Sequence, residues 1–122
     1  MASFEPWDVV RVPFPYTDRP IRQRRPALVI GDGDIAAEHG LLWLIMITSA
    51  ENRGWPGDVA ISDLDMAGLP AASIVRGAKI ATVEARDAQR LGVLPLADRD
   101  AVSSNIRRTL AVVLDGLNHD EH

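Results

Sequence analysis

Nine consecutive residues, Leu41 to Ser49 (LLWLIMITS), constrain this chain more than any other segment. A run so nearly continuous in apolar side chains reads as a central strand buried on both faces, not as a half-solvated one. Every other element must then serve to cover that strand. Asp8 to Phe14 is a second strand, with Val10, Val12 and Phe14 on one face and Arg11 on the other, and Pro13 and Pro15 turn its end toward a loop. Pro26 to Ile30 is a third, closed by Gly31-Asp32-Gly33-Asp34, and 35–40 is an irregular connector. Asp58 to Ser62 reads as a short strand, and 63–67 as one helical turn ended by Gly68. Ser73 to Arg76 and Lys79 to Val83 read as two short strands around Gly77 or as one bulged strand. Ala85 to Leu91 reads as a short helix ending at Gly92. The clearest helix follows, capped by Asp98 or Asp100, with Val102, Ile106, Leu110, Val113 and Leu117 at helical spacing and a frayed tail from Asn118.

With 122 residues, 47% of them hydrophobic, one domain spanning 1–122 has enough apolar surface to need no covalent staple. The expected architecture is mainly β with a C-terminal helix: a small, strongly bent sheet or barrel. No cysteine is present, which removes disulfides and thiolate chemistry and suits a reducing compartment. No signal-peptide pattern is visible. The longest apolar run is far short of the ~20 residues a membrane span needs, so a cytoplasmic location without membrane contact is expected.

Net charge is −4, which disfavours nucleic-acid binding by bulk charge. The distribution is more telling. Twelve of the 13 basic residues are arginine, Lys79 being the exception, and Arg19, Arg22, Arg24 and Arg25 fall within seven residues. Arginine grips phosphate through a fixed fork of donors. Such a patch is either a phosphate site or a solvated loop whose arginines pair with carboxylates. His39, His119 and His122 show no paired ligand spacing, and Asp32 and Asp34 lack the closing Glu of a calcium loop, so no metal and no cofactor is expected. Neither a nucleophile elbow nor a phosphate-binding glycine loop is present. Arginine beside hydroxyls remains, a combination suited to a phosphodiester, and RNA brings its own 2′-OH nucleophile.

The order D-V-V-x-V-x-F, basic loop, R-P-A-L-V-I, apolar strand ending I-T-S, then A-G-L-x-x-x-S-I-V-R-x-x-K-I-x-T-V and R-L-G-x-L resembles the MazF/PemK toxins from about Asp8 to Leu94. The resemblance implies an SH3-like curved β-barrel of the MazF/PemK/CcdB type with a C-terminal helix. It implies the toxin of a type II toxin–antitoxin system: a homodimeric, metal-independent endoribonuclease that cuts single-stranded RNA to 2′,3′-cyclic phosphate and 5′-OH ends. The implied partner is an antitoxin with an acidic disordered tail, with DNA reached only through the toxin–antitoxin complex.

By the same resemblance Arg25 and Thr48 are the catalytic pair. Without it, Thr48 is simply a β-branched residue closing a strand. Arg19, Arg22, Arg24, Ser49, Ser73, Arg76, Lys79 and Trp55 are the expected RNA-binding set. Lys79 either adds a phosphate contact or solvates a strand edge. Trp55 either stacks on a base or packs at a dimer or antitoxin interface, whereas Trp43 reads as core. Three departures stand out: Trp7-Asp8 replaces the family's Gly-Asp, leaving the first turn without a residue free to adopt positive φ; Ala78 replaces one branch's aspartate; and the first loop lacks the usual glycine and glutamate. They motivate the alternative of a weak or inactive barrel that acts by binding RNA, antitoxin or, like CcdB, gyrase.

Overall fold

In the computed structural model, residues 4–14, 23–31, 38–52 and 54–119 are described. Most of the basic loop, including Arg19 and Arg22, lies outside them, as do the Asp32-Gly33-Asp34 turn, most of the connector and the last three residues. Six strands form one antiparallel sheet: β1 (Asp8–Phe14), β2 (Gln23–Gly31), β3 (Leu41–Ser49), β4 (Asp58–Ala60), β5 (Ser73–Glu84) and β6 (Gln89–Val93). Their order across the sheet is β4-β5-β3-β2-β1-β6. The sheet bends in a barrel-like way without closing. Among the described residues two helices accompany it, the short α1 (Leu64–Ala67) and the terminal α2 (Leu96–His119).

The apolar run takes the place its composition demands. β3 pairs with β2 on one side and β5 on the other, and alternate residues feed two cores. Ile45 and Ile47 join Val9, Leu28, Val75, Leu94 and Val102 on the face covered by the helices. Leu44 and Met46 join Val10, Val12, Ala27 and Val29 on the other, closed by Phe4, Ala81, Val83, Ala85 and Ala88. A fully buried Leu or Ile contributes roughly 1.5–3 kcal/mol, so this strand anchors both layers. Trp43 departs from expectation. It is 49% exposed and lines a second cleft with Ile30, Ile106 and Leu110.

β5 is one bulged strand. Ile45 pairs with Ile80 and Ile47 with Val75, so Arg76, Gly77, Ala78 and Lys79 all stand opposite Met46. Such an excess breaks the ladder and bends the strand locally.

Three further expectations are corrected. Ala85 to Leu91 is not a helix: a 3-10 turn spans Ala85–Asp87, and Gln89–Val93 pairs with β1 as β6. Gly92 is needed there because the backbone of Met66 and Ala67 in α1 approaches so closely that a Cβ would overlap it. The terminal helix begins at Leu96, two residues before the expected cap. Asp98 lies in its first turn, 7% exposed, and accepts from the backbone N–H and hydroxyl of Ser62 at 2.8 and 3.1 Å. Trp7 itself takes a φ of 79°. Its N–H donates to the Val29 carbonyl and its carbonyl accepts from the Leu94 N–H, both at 2.8 Å, so bonds to two neighbouring segments hold a backbone that a bulky residue rarely adopts.

Candidate functional site

At one end of the β1–β2–β3 ladder the strands open into a cleft of about 370 Å³. Pairing brings it together. β2 pairs with β3 as far as Ala27–Met46, and the strand ends beyond that pair bring Arg25 and Thr48 to the same cleft. Both side chains line the cleft, with Arg24 and Ser49 beside them and Ser73 reaching it from β5. Ser73 pairs with Ser49, which places those hydroxyls on adjacent strands. Leu69, Pro70, Ala71 and Ala72 form the opposite wall.

Arg11 also lines the cleft, and sequence reasoning did not single it out as functional. Its signal was the alternation of β1: it projects opposite the buried Val10 and Val12. Only its pairing with Pro26 shows that this side meets the arginines of β2. Three arginines and three hydroxyls therefore share one cleft, and no carboxylate or imidazole is among its described lining residues. On a chain of net charge −4 this is a local anion site, not a general basic surface.

The hydroxyls are not equivalent. Ser73 donates to the Ala71 carbonyl at 2.8 Å, which occupies its proton. Ser49 Oγ accepts from the Glu51 N–H at 3.3 Å, and Thr48 Oγ1 accepts from Asn52 Nδ2 at 3.2 Å. An accepting hydroxyl keeps its proton for another partner.

Arg76, Trp55 and Lys79 form a separate cluster. Asp58 on β4 is the cross-strand partner of Arg76 on β5. The Arg76 fork grips the carboxylate twice, Nε to Oδ1 at 3.1 Å and Nη2 to Oδ2 at 2.9 Å, and Nη2 also donates to the Asn52 carbonyl. Arg76 is only 6% exposed. Its guanidinium carbon lies 4.2 Å from the centre of the half-exposed Trp55 ring, and Lys79 Nζ lies 5.6 Å from it. The Trp55 N–H donates to Asp58 Oδ2 at 3.2 Å. The Arg76 hydrogen bonds, with those of the Trp55 and Gly54 N–H groups, hold the Asp58 carboxyl below its ordinary value against the opposing pull of burial. The same hydrogen bond raises the Arg76 pKa.

The structure thus unites Arg24, Arg25, Thr48, Ser49 and Ser73, and sets Arg76, Trp55 and Lys79 apart from them. Asn52 and Asp58 were not foreseen: Arg76, which ties the two together, lies 24 and 18 residues from them in the chain. Among the described residues no group of three or more His, Asp or Glu side chains stands together as a metal cage would. No described helix is long and apolar enough to cross a membrane.

A small bent antiparallel sheet, backed by a terminal helix and carrying an arginine–hydroxyl cleft at the end of its central strands, defines the class. The family described as PemK-like, MazF-like toxin of type II toxin–antitoxin system matches residues 5–110, and the chain belongs to it. Among solved structures it is similar to MazF from Deinococcus radiodurans, with 20% identity over 91% of this chain and 99% of that one and a TM-score of 0.72. The MazE–MazF complex of the same organism aligns at 20% identity over 90% and 97%, with a TM-score of 0.67. An endoribonuclease bound to its cognate antitoxin from a mycobacterial species aligns at 15% identity over 89% and 96%, with a TM-score of 0.69. No curated protein sequence matches the chain.

Proposed function

We propose that this chain is a metal-independent endoribonuclease acting on single-stranded RNA, the toxin held in check by a cognate antitoxin. The observation that carries this reading is that Arg25 and Thr48 line one cleft rich in arginine and free of described acidic side chains. The substrate's 2′-oxygen attacks the adjacent phosphorus, the bond to the 5′-oxygen breaks, and a 2′,3′-cyclic phosphate and a 5′-OH remain. Arg25 neutralises charge on the phosphorane while the Thr48 hydroxyl donates to a non-bridging oxygen. Arg24 and Arg11 hold neighbouring phosphates, with Ser49 and Ser73 along the backbone. Arg19 and Arg22, outside the described residues, would add further phosphate contacts. Trp55 offers a face on which a flanking base can stack, and Lys79 stands beside it.

The same positive cleft suits an acidic antitoxin tail, and DNA would be engaged only through that complex. A homodimer is supported by the second half of α2, where Leu110, Val113, Leu114 and Leu117 are 46–62% exposed. Work on RNA in the cytoplasm fits this reading.

Incubation with a panel of single-stranded RNAs in EDTA tests the proposal. Discrete cuts are expected, and Arg25→Ala is expected to slow them by about a hundredfold or more, as for loss of one preorganised oxyanion donor. Intact RNA across the panel, together with inhibition of gyrase supercoiling, would replace this reading with the CcdB-like one.

A further inference from the structure

Resting on that reading, we propose that Asn52 is a positioning residue that aims the proton of Thr48 at the scissile phosphate, and that the Asp58–Arg76 pair holds Asn52 in place for this work. A threonine hydroxyl has one proton and two lone pairs. At 3.2 Å the Asn52 amide donates to Thr48 Oγ1 and takes up one lone pair. The hydroxyl then has no reason to point its proton at Asn52, and the open direction is the cleft that Thr48 lines.

Asn52 needs holding, because it is exposed and sits at the end of the 3-10 turn Ala50–Asn52 that leaves β3. Two anchors act on that turn. The Ala50 N–H donates to the Ala72 carbonyl at 3.0 Å. The Asn52 carbonyl accepts from Arg76, whose fork cannot swing away because Asp58 grips it twice and the Trp55 ring lies against it. Arg76 is not among the residues lining the cleft. An arginine committed to a buried carboxylate, a carbonyl and a ring is in no position to neutralise a phosphate as well. Its influence on the chemistry passes through Asn52.

The test compares kcat and KM on one cleavable RNA for the wild type, Asn52→Ala and Asn52→Asp, with thermal melts of each. Asn52 is exposed, so neither variant threatens the fold. Asn52→Ala is expected to lower kcat about tenfold, the worth of one modest hydrogen bond, with KM within about twofold. Asn52→Asp keeps the shape but can only accept, which draws the Thr48 proton away from the substrate, and a drop of about a hundredfold is expected at neutral pH. As pH falls through about 4, the protonated side chain becomes a donor again, and the ratio of variant to wild-type kcat should recover. Asp58→Asn, which weakens the grip on Arg76, should lower kcat in the same sense if its melt shows a folded chain. Wild-type kcat in Asn52→Asp, or a defect in that variant unchanged with pH, overturns the positioning role alone. A wild type that cuts no RNA overturns the parent reading and takes this role with it.

Discussion

Asp58 keeps its negative charge in a place where few carboxylates do: its side chain is 10% exposed, against a guanidinium 8% exposed. Its pKa is depressed on folding, chiefly by the Arg76 hydrogen bond. The unfolded chain therefore binds the proton more readily than the folded one, and the sign of the linkage follows. The pair stabilises the fold fully above the ordinary carboxylate value and loses that contribution as pH falls through the depressed one. The wild type should melt several degrees above Asp58→Asn near neutral pH, and the gap should narrow as pH drops below about 4. Melts at several pH values check this, and a gap that is constant with pH would mean the carboxylate charge is not what holds the loop. Arg76 also shows where reading residue types stops being informative. By resemblance to the family's S-I-V-R segment it was expected to bind RNA, yet its immediate partner is a carboxylate on the neighbouring strand. Arg24 and Arg25, from the arginine cluster that composition singled out, do line the cleft.

At the scale of elements, α1 and β6 meet backbone to backbone. Gly68 ends α1 with a φ of 73°, and a Cβ there would run into the Leu91 carbonyl. Gly92 faces the backbone of Met66 and Ala67 from the other side. Each glycine admits the other element's backbone, so the two fail separately. Gly68→Ala adds a positive-φ penalty to the overlap, and both Gly68→Ala and Gly92→Ala should cost at least about 2 kcal/mol, read from urea unfolding midpoints. Asp63 and Gly68 announced the short helix correctly, since the Asp63 side chain accepts from the Met66 N–H at 3.1 Å and Gly68 supplies the left-handed end. Arg90 and Leu91 were assigned to a helix because nothing in five residues of sequence reveals that β1 has an open edge waiting for them.

At the scale of the whole molecule, an apolar stripe on the terminal helix is left uncovered. α2 packs its first half through Val102 and Ile106, then carries Leu110, Val113, Leu114 and Leu117 into solvent. The helical stripe was legible, but its length exceeds what one sheet of this size can cover. If the second half serves a homodimer, sedimentation should report twice the 13.3 kDa of one chain, and Leu114→Glu with Leu117→Glu should return it to a single chain. A 13.3 kDa wild-type species at micromolar concentration would remove the dimer from the proposal.

What the sequence determined by itself was local: the central strand, from a run too apolar for any half-solvated position; the turn at Asp63–Gly68; the helical stripe; and, through the ordered motifs, the family. These depend on side-chain period, capping chemistry and motif order, all readable from neighbours in the chain. Tertiary structure decided the rest. Arg25 and Thr48 reach one cleft because β2 pairs with β3, Arg11 joins them because β1 pairs with β2, and Arg76 is withdrawn because β4 brings Asp58 across from it. Register is set by the sum of packing over whole strands. A basic residue at a given position can meet a phosphate or a carboxylate, and only the strand that lands opposite it makes the choice.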